Sequence, residues 1–184
     1  MVRLVHLNGP PGVGKSIFAR SYAADNPKAL ALDVDVIVSM IGGWRDDFWR
    51  TLPIARRLAA AMAREHLANG YDVLLPQLVT NDREIAPYLA AVEDSGATYL
   101  EVVLLADLPT TVERFAKRAA DEAEPIGRHV EQIVATNGGK QLLAKIRVDL
   151  LSYLEGRSQS VTIDTTSLTP AEAYLRVRTV LSER

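Results

Sequence analysis

At 184 residues, 48% of them apolar, the chain is long enough to bury one hydrophobic core and too short for two ordinary domains joined by a linker. With 21 Lys and Arg against 23 Asp and Glu, it has no surplus of positive charge to attract a polyanion, which disfavours nucleic acid as a partner. It contains no cysteine, which excludes disulfide bonds, thiolate metal sites and cysteine nucleophiles.

Short apolar runs alternate with longer segments of helical periodicity, which is typical of parallel strands joined by crossover helices. The predicted strands are 3–7, 29–32, 72–75, 99–105 and 160–163. The predicted helices are 15–24, 34–40, 48–68, 83–95, 111–122, 141–154 and 171–182. Three helix starts have a capping residue three positions before a glutamate, namely Asn81, Thr110 and Thr169. The pattern predicts an α/β domain with one five-stranded sheet, and we expect the polar segment 121–129 to be an irregular, mobile flap.

A phosphate-binding motif follows the first predicted strand. The segment Gly9-Pro10-Pro11-Gly12-Val13-Gly14-Lys15-Ser16 fits the Walker A pattern G-x-x-x-x-G-K-[ST] at every specified position, and a predicted helix that includes Ile17 follows it. The glycines allow main-chain N–H groups to surround a β-phosphate, and the helix N-terminus adds its positive end. We expect Lys15 to bridge the β- and γ-phosphates and the Ser16 hydroxyl to coordinate Mg²⁺. The motif predicts triphosphate binding, and the absence of a guanine-reading Asn-Lys-x-Asp sequence favours ATP.

Two aspartates, Asp33 and Asp35, follow the second predicted strand and open the next helix. A phosphotransferase must hold the acceptor hydroxyl in line with the γ-phosphate, so a carboxylate is needed beside the phosphate loop at the end of a neighbouring strand. Asp35 is the candidate general base or hydroxyl-orienting group, and Asp33 the candidate for the Mg²⁺ water shell or for substrate binding. The alternative is that either residue only caps the helix. The pair predicts transfer of phosphate from ATP to a hydroxyl of a small molecule.

The sequence resembles the small-molecule P-loop kinases, in particular chloramphenicol phosphotransferase and the ATP-binding tunicamycin-resistance protein. The glycine loop, 32–37 and 162–166 are similar to chloramphenicol phosphotransferase, whose catalytic aspartate falls on Asp35, whereas 46–49 and 73–79 are more similar to the tunicamycin-resistance protein. The resemblance implies a single three-layer P-loop domain over 1–184. Its parallel sheet would have the strand order 2-3-1-4-5 with helices on both faces, and a helical lid would lie at about 119–140.

Other cations and loops are candidates for the nucleotide site. Charge on the transferred phosphate is stabilised by cations, for which Arg114, Arg118 and Arg128 are candidates. By similarity to shikimate- and gluconate-type kinases, Arg118 would lie against the adenine and Arg128 would reach the phosphates from the lid; the alternative is a solvated basic helix face. Thr165 and Thr166 stand where these families place the adenine loop, with a plain turn as the alternative.

The acceptor pocket is expected after the acidic pair. Trp44 and Arg45 are candidate substrate contacts, although the two tryptophans of this region, Trp44 and Trp49, could instead close the core. Gln77 stands where many of these kinases have an acidic residue; it is a candidate reader of a substrate polar group, or a plain loop residue. The acceptor class stays open between antibiotic, sugar and nucleoside.

Two further functions stay open. One is antibiotic resistance by ATP-dependent sequestration of a ligand without phosphorylation, and the other is a 5′-hydroxyl polynucleotide kinase, against which the lack of a basic surplus counts. No basic region or small-residue cleavage site accompanies the apolar run at 2–7, and no stretch approaches the ~20 apolar residues that span a bilayer. We therefore expect a cytoplasmic protein without membrane contact.

Overall fold

Five parallel strands form one sheet in the order β2-β3-β1-β4-β5, as the resemblance implied. The structure is a computed structural model that describes residues 1–119 and 125–183, with the side chains of 118, 119, 125–128 and 131 left out. The strands are β1 Arg3–Asn8, β2 Leu30–Ala31, β3 Val73–Pro76, β4 Thr98–Leu105 and β5 Val161–Asp164. In the register, Leu4 of β1 lies opposite Val73 of β3 and Tyr99 of β4. The carboxyl ends of all five strands therefore meet at one edge of the sheet.

Eight helices connect or follow these strands in the described part of the chain. They are α1 Lys15–Asp25, α2 Val34–Met40, α3 Phe48–Ala68, α4 Asp82–Ser95, α5 Leu108–Ala119, α6 Pro125–Thr136, α7 Lys140–Leu154 and α8 Pro170–Ser182. The prediction of an irregular segment is wrong for 125–129, which lie in α6. Pro125 stands in the first turn, where a missing N–H does no harm, and Val130, Ile133 and Val134 repeat at helical spacing. Residues 121–124 of the expected flap lie outside the described residues.

Helix caps explain where several helices begin. Asn81 Oδ1 accepts from Glu84 N at 3.2 Å, and Thr169 forms a complete capping box with Glu172, so two of the three predicted caps are confirmed. The Thr110 cap is wrong, because α5 already begins at Leu108. Asp107 takes this role instead, since its Oδ1 accepts from Thr110 N at 2.8 Å. A stronger cap two residues after β4 thus starts the helix one turn earlier.

Two apolar clusters fill the layers on either side of the sheet. Leu4 packs with α2, α3 and α4 on one face, while Val5 and Leu7 pack with α1 and α8 on the other. Because side chains alternate along a strand, His6 and Asn8 point to the same face as Leu4. A third cluster joins α6, which lies within the expected lid, to α5 and α7. Within the described residues, no helix combines the length and the apolar character needed to cross a membrane.

Candidate functional site

The loop between β1 and α1 has a backbone that favours glycine. The φ angles of Gly9, Gly12 and Gly14 are 147°, 86° and 97°. A Cβ atom on Gly9 would lie 2.3 Å from the carbonyl oxygen of Leu104, and one on Gly12 would lie 3.0 Å from that of Thr111. The loop is therefore wedged against the end of β4 and the first turn of α5. The motif glycines permit this path and leave main-chain N–H groups that a ligand can approach closely.

The start of α1 suits an anion. Its N-cap is Gly14, which has no side chain to cap the first turn, so the first N–H groups are left to an acceptor outside the helix. Lys15 Nζ donates to the carbonyl oxygens of Gly9 and Pro10 at 2.8 and 2.9 Å. The ammonium group is thereby held at the loop itself. A helix terminus and a cation converge where the motif predicts phosphates.

A cavity of about 680 Å³ opens beside this loop, within the size range of small-molecule sites. Three parts of the chain line it: the loop with the first turns of α1, one face of α5, and the loop between β5 and α8 with the first turn of α8. The lining residues are 12–18, Arg20, Arg114, Lys117, Thr165, Leu168, Thr169, Pro170 and Ala173. The predicted nucleotide-binding residues from Gly12 to Ile17 thus share one cavity with Thr165.

Arg114 fixes one wall of this cavity. Its guanidinium group donates to Thr165 Oγ1 at 3.2 Å and to the carbonyl oxygens of Thr165, Thr166 and Leu168 at 3.0, 3.3 and 3.0 Å. The sequence had suggested a phosphate-facing cation or a solvated basic face. The observed contacts instead make Arg114 a clamp that joins α5 to the β5–α8 loop.

We expect Arg114→Lys to lower the free energy of unfolding by about 2 kcal/mol and to weaken nucleotide binding, because an ammonium group cannot serve four acceptors in a fork. Urea denaturation and calorimetric titration with ADP would measure both effects. The matched control is Arg178→Lys, since Arg178 forms an ion pair with Asp25 that is about half exposed. This replacement should change the free energy of unfolding by no more than about 0.5 kcal/mol. Equal midpoints for the Arg114 variant and the unmodified protein would contradict the clamp.

Two cations of the cavity wall escaped the sequence analysis. Lys117 lies one helical turn after Arg114 on α5, and Arg20 lies one turn after Ser16 on α1. The available signal was their position on a helix, since residues one turn after Ser16 of the motif and one turn after Arg114 lie on the same helix face as those residues. The side chains of Arg118 and Arg128 lie outside the described residues, so their adenine and phosphate contacts stay predictions.

The hydroxyl groups of Thr165 and Thr166 build the turn after β5. Thr165 is 1% exposed and its Oγ1 donates to the carbonyl oxygen of Leu105 at 2.9 Å. Thr166 Oγ1 donates to Asp164 Oδ1 at 2.7 Å and accepts from Asp107 N at 2.9 Å. Any adenine contact at this turn therefore rests chiefly on its main chain.

The acidic pair lies at the same sheet edge as the phosphate loop. Asp33 caps α2, because its Oδ1 accepts from Asp35 N at 3.1 Å, so the capping alternative is observed for Asp33. Asp35 is half-buried in the first turn of α2. The two strands that end at the loop and at the pair, β1 and β2, are separated by β3 and thus lie about 10 Å apart. This spacing leaves room for an acceptor beside a terminal phosphate.

The end of β3 lies between the phosphate loop and the acidic pair. The main-chain oxygen of Gln77 accepts from His6 Nε2 at 2.9 Å; a carbonyl can only accept, so this ring nitrogen carries the proton. Gln77 is half-buried, and its side-chain Nε2 lies 3.5 Å from the carbonyl oxygen of Leu78. Its contact with a substrate stays a prediction.

The sequence left open whether Trp44 and Trp49 close the core. Trp44 does, since it is 5% exposed, whereas Trp49 does not, since it is 65% exposed. Trp44 packs in the α2–α4 cluster, with its ring centre 5.0 Å from that of His129 in α6. The Arg45 guanidinium carbon lies 4.4 Å from the centre of the Trp44 ring. Arg45 also lines a second cavity of about 400 Å³ with residues of α6. Little of Trp44 is left to touch a substrate, so Arg45 is the better placed of the two candidates.

The residues present fit a magnesium ion held mainly by a nucleotide. In the parts of the chain that the structure describes, no group of three or more His, Asp or Glu residues is arranged to hold a metal ion. Mg²⁺ in phosphate-transfer sites needs few protein ligands, because phosphates and water complete its shell. Ser16, which lines the cavity at the start of α1, is the direct candidate, and Asp33 stays a predicted contributor through water.

Comparisons with known proteins agree with this architecture. A family model described as an AAA domain matches residues 4–138. Among solved structures, a proposed kinase from Chloroflexus aurantiacus has 19% sequence identity and a TM-score of 0.67, with 99% of this chain and 97% of that chain covered. The tunicamycin resistance protein of Deinococcus radiodurans has 15% identity and a TM-score of 0.61, with 98% and 96% covered. At such identities the likeness shows the fold alone, and no curated protein sequence matches the chain. The predicted P-loop kinase-like fold is confirmed.

Proposed function

Since the chain belongs to the AAA domain family and has a P-loop kinase-like fold, we propose that it moves the γ-phosphate of ATP onto a hydroxyl group of a small molecule. One observation carries the proposal: a complete phosphate loop and the Asp33–Asp35 pair lie at the same edge of the sheet, on either side of the end of β3. Phosphoryl transfer consists largely of positioning and charge stabilisation, and these two elements supply both.

In the proposed reaction the phosphate loop holds the nucleotide. The N–H groups of the loop and of the first turn of α1 surround the β-phosphate. Lys15 leaves the carbonyl oxygens of Gly9 and Pro10, which it contacts in the structure, and bridges the β- and γ-phosphates. Ser16 would hold Mg²⁺, which, when bound, neutralises charge on the phosphates. Arg128, proposed as a second cation, would approach from the lid.

The acceptor side depends on Asp35. Its carboxylate would accept a hydrogen bond from the acceptor hydroxyl, aim the oxygen at the γ-phosphorus and take up the proton as the new P–O bond forms and the bond from the γ-phosphorus to the leaving ADP breaks. Asp33 would keep the first turn of α2, and with it Asp35, in place through its cap to Asp35 N. Arg45 and Gln77 are the proposed contacts for the rest of the acceptor.

We expect Asp35→Asn to lower kcat for phosphate transfer about 10²-fold or more, with little change in the KM for ATP, because the amide keeps the shape but cannot take up the proton. ADP release with a panel of antibiotics, sugars and nucleosides, with mass spectrometry of the acceptor, would measure this. The matched control is Asp47→Asn, the same change at the exposed N-cap of α3. Asparagine caps as well as aspartate, so this variant should keep full activity.

The proposal fails if no compound gains a phosphoryl group and Asp35→Asn leaves every measured activity unchanged. A ligand that binds in the presence of ATP and is recovered unmodified would favour sequestration instead. Phosphorylation of a 5′-hydroxyl oligonucleotide, with binding that weakens steeply as salt increases, would favour a polynucleotide kinase.

A further inference from the structure

Asn8, the last residue of β1, ties the phosphate loop to the loop after β3. Its side chain is fully buried, at 0% exposure. Its Oδ1 accepts from the main-chain N–H groups of Gly9 at 2.8 Å and Val79 at 3.0 Å, and its Nδ2 donates to the carbonyl oxygen of Val79 at 3.0 Å. One amide thus fixes the first residue of the phosphate loop relative to the segment that separates the loop from the acidic pair.

Glu101 reinforces the direction in which this amide points. It lies on β4 opposite His6 of β1 and is 3% exposed. Its Oε1 accepts from Asn8 Nδ2 at 2.9 Å. An ionised carboxylate only accepts hydrogen bonds, so it favours the same amide orientation as the main-chain groups, with Nδ2 towards β4 and Oδ1 towards the N–H groups of Gly9 and Val79. In the flipped orientation, Asn8 Oδ1 would face the oxygens of Glu101 and Val79, and Nδ2 would face the N–H groups of Gly9 and Val79.

The negative charge of Glu101 is retained in the interior by its partners. Its Oε2 accepts from Arg157 Nε at 2.8 Å and from the Ser160 hydroxyl. Burial by itself would raise the pKa of the Glu101 carboxyl, but hydrogen bonds from Ser160, Arg157 and Asn8 outweigh burial and hold that pKa well below its usual range. The carboxylate therefore stays a pure acceptor near neutral pH.

Arg157 connects this carboxylate to the segment that follows the expected lid. It lies between α7 and β5, and its guanidinium group also contacts Asp82 Oδ1 at 3.2 Å and lies 4.8 Å from the centre of the Tyr153 ring. A continuous series of contacts therefore runs from the end of α7 through Arg157, Glu101 and Asn8 to Gly9. Buried ionic networks of this kind add little net stability relative to apolar packing, but they can fix one geometry.

We propose that Asn8, Glu101 and Arg157 are positioning residues that hold the phosphate loop in its nucleotide-binding shape and in register with the loop after β3. The inference rests on the nucleotide-binding part of the proposed function. None of the three side chains lines the cavity beside the phosphate loop. They act on the nucleotide through the main chain of Gly9.

The test measures ADP affinity by calorimetric titration at a temperature where each variant is folded. Asn8→Asp places a second carboxylate against Glu101 and removes the donor to Val79, so we expect ADP to bind about 10-fold to 100-fold more weakly. Glu101→Gln removes the charged acceptor of Asn8 Nδ2, although the main-chain groups of Gly9 and Val79 still orient the amide, and should weaken binding in the same direction by a smaller factor. In the double variant the new amide can donate to the new carboxylate, and we expect it to bind ADP more tightly than Asn8→Asp alone.

Asp72→Asn is the matched control, because it alters a polar network at the opposite end of the same strand. Asp72 accepts from Arg3 N at 2.9 Å and from the Tyr22 hydroxyl at 2.8 Å. This variant should lose stability and keep the ADP affinity of the unmodified protein. The positioning role is overturned if Asn8→Asp and Glu101→Gln bind ADP normally, or if affinity falls in the control as much as in the network variants.

The readout separates this inference from the proposed reaction. If no acceptor is ever phosphorylated, ADP binding still reports on the network, and weaker binding by the variants still supports it. If the unmodified protein does not bind ADP, the positioning role and the proposed function are both overturned.

Discussion

Replacing Lys15 with methionine is expected to lower kcat/KM for ATP-dependent phosphate transfer about 10³-fold, the largest effect on activity that we predict. Methionine keeps an unbranched side chain and removes the ammonium group. In the structure this group lies 2.8 and 2.9 Å from the carbonyl oxygens of Gly9 and Pro10, at the mouth of the phosphate loop. A charge so close to the transferred phosphate stabilises the transition state more than the bound substrate, so kcat should fall as well as affinity. Steady-state kinetics with the acceptor identified by the panel would measure the loss.

Lys28→Met is the matched control for this change. Lys28 is exposed and its ammonium group contacts the Tyr71 hydroxyl at 3.0 Å, away from the phosphate loop. We expect this variant to keep the activity of the unmodified protein. If Lys15→Met turned over ATP at the rate of the control, the assignment of the loop as the catalytic phosphate site would be wrong.

Gly9→Ala is expected to give the largest loss of stability, about 3 kcal/mol or more, together with loss of nucleotide binding. The added Cβ atom would lie 2.3 Å from the carbonyl oxygen of Leu104, and the backbone φ of 147° is itself unfavourable for alanine. The clash is with main chain at the end of β4, so no side-chain rotation can relieve it. Urea denaturation and ADP titration would measure the two losses.

Gly70→Ala separates the clash from the backbone preference. Gly70 has a φ of 87° after the end of α3, and a Cβ atom there would meet nothing within 4 Å. The free energy of unfolding of Gly70→Ala should fall by only about 1 kcal/mol, the cost of a residue other than glycine in a left-handed conformation. Equal losses for the two alanine variants would show that the close approach of Gly9 to β4 contributes nothing.

The features that sequence predicted well are those fixed by residues close together in the chain. Apolar runs marked each strand, and the phosphate motif is contiguous, so its placement between β1 and α1 followed directly. The start of α5 was missed because two capping patterns overlap, and Asp107 acts before Thr110. The helix α6 was missed because Pro125 and Gly127 suggested a break.

Features that depend on distant parts of the chain could not be predicted in the same way. Arg114 contacts Thr165, which lies 51 positions later in the sequence. Nothing in the local sequence distinguishes an arginine that makes such contacts from one on a solvated basic face. For Asp33, capping and metal binding require the same residue type, so the pattern left both open. Glu101 did give a signal, a charged residue inside an otherwise apolar strand, and its meaning became clear only with Asn8 and Arg157 beside it.

The most direct test of the central claim is an experimental structure with Mg²⁺, ADP and a planar phosphate mimic such as aluminium fluoride. We predict that the N–H groups of residues 12–16 surround the β-phosphate, and that an Asp35 carboxylate oxygen lies about 3 Å from the water or hydroxyl on the far side of the mimic. If the loop N–H groups are turned away from the phosphates, or if Asp35 points to another edge of the sheet, the account is contradicted.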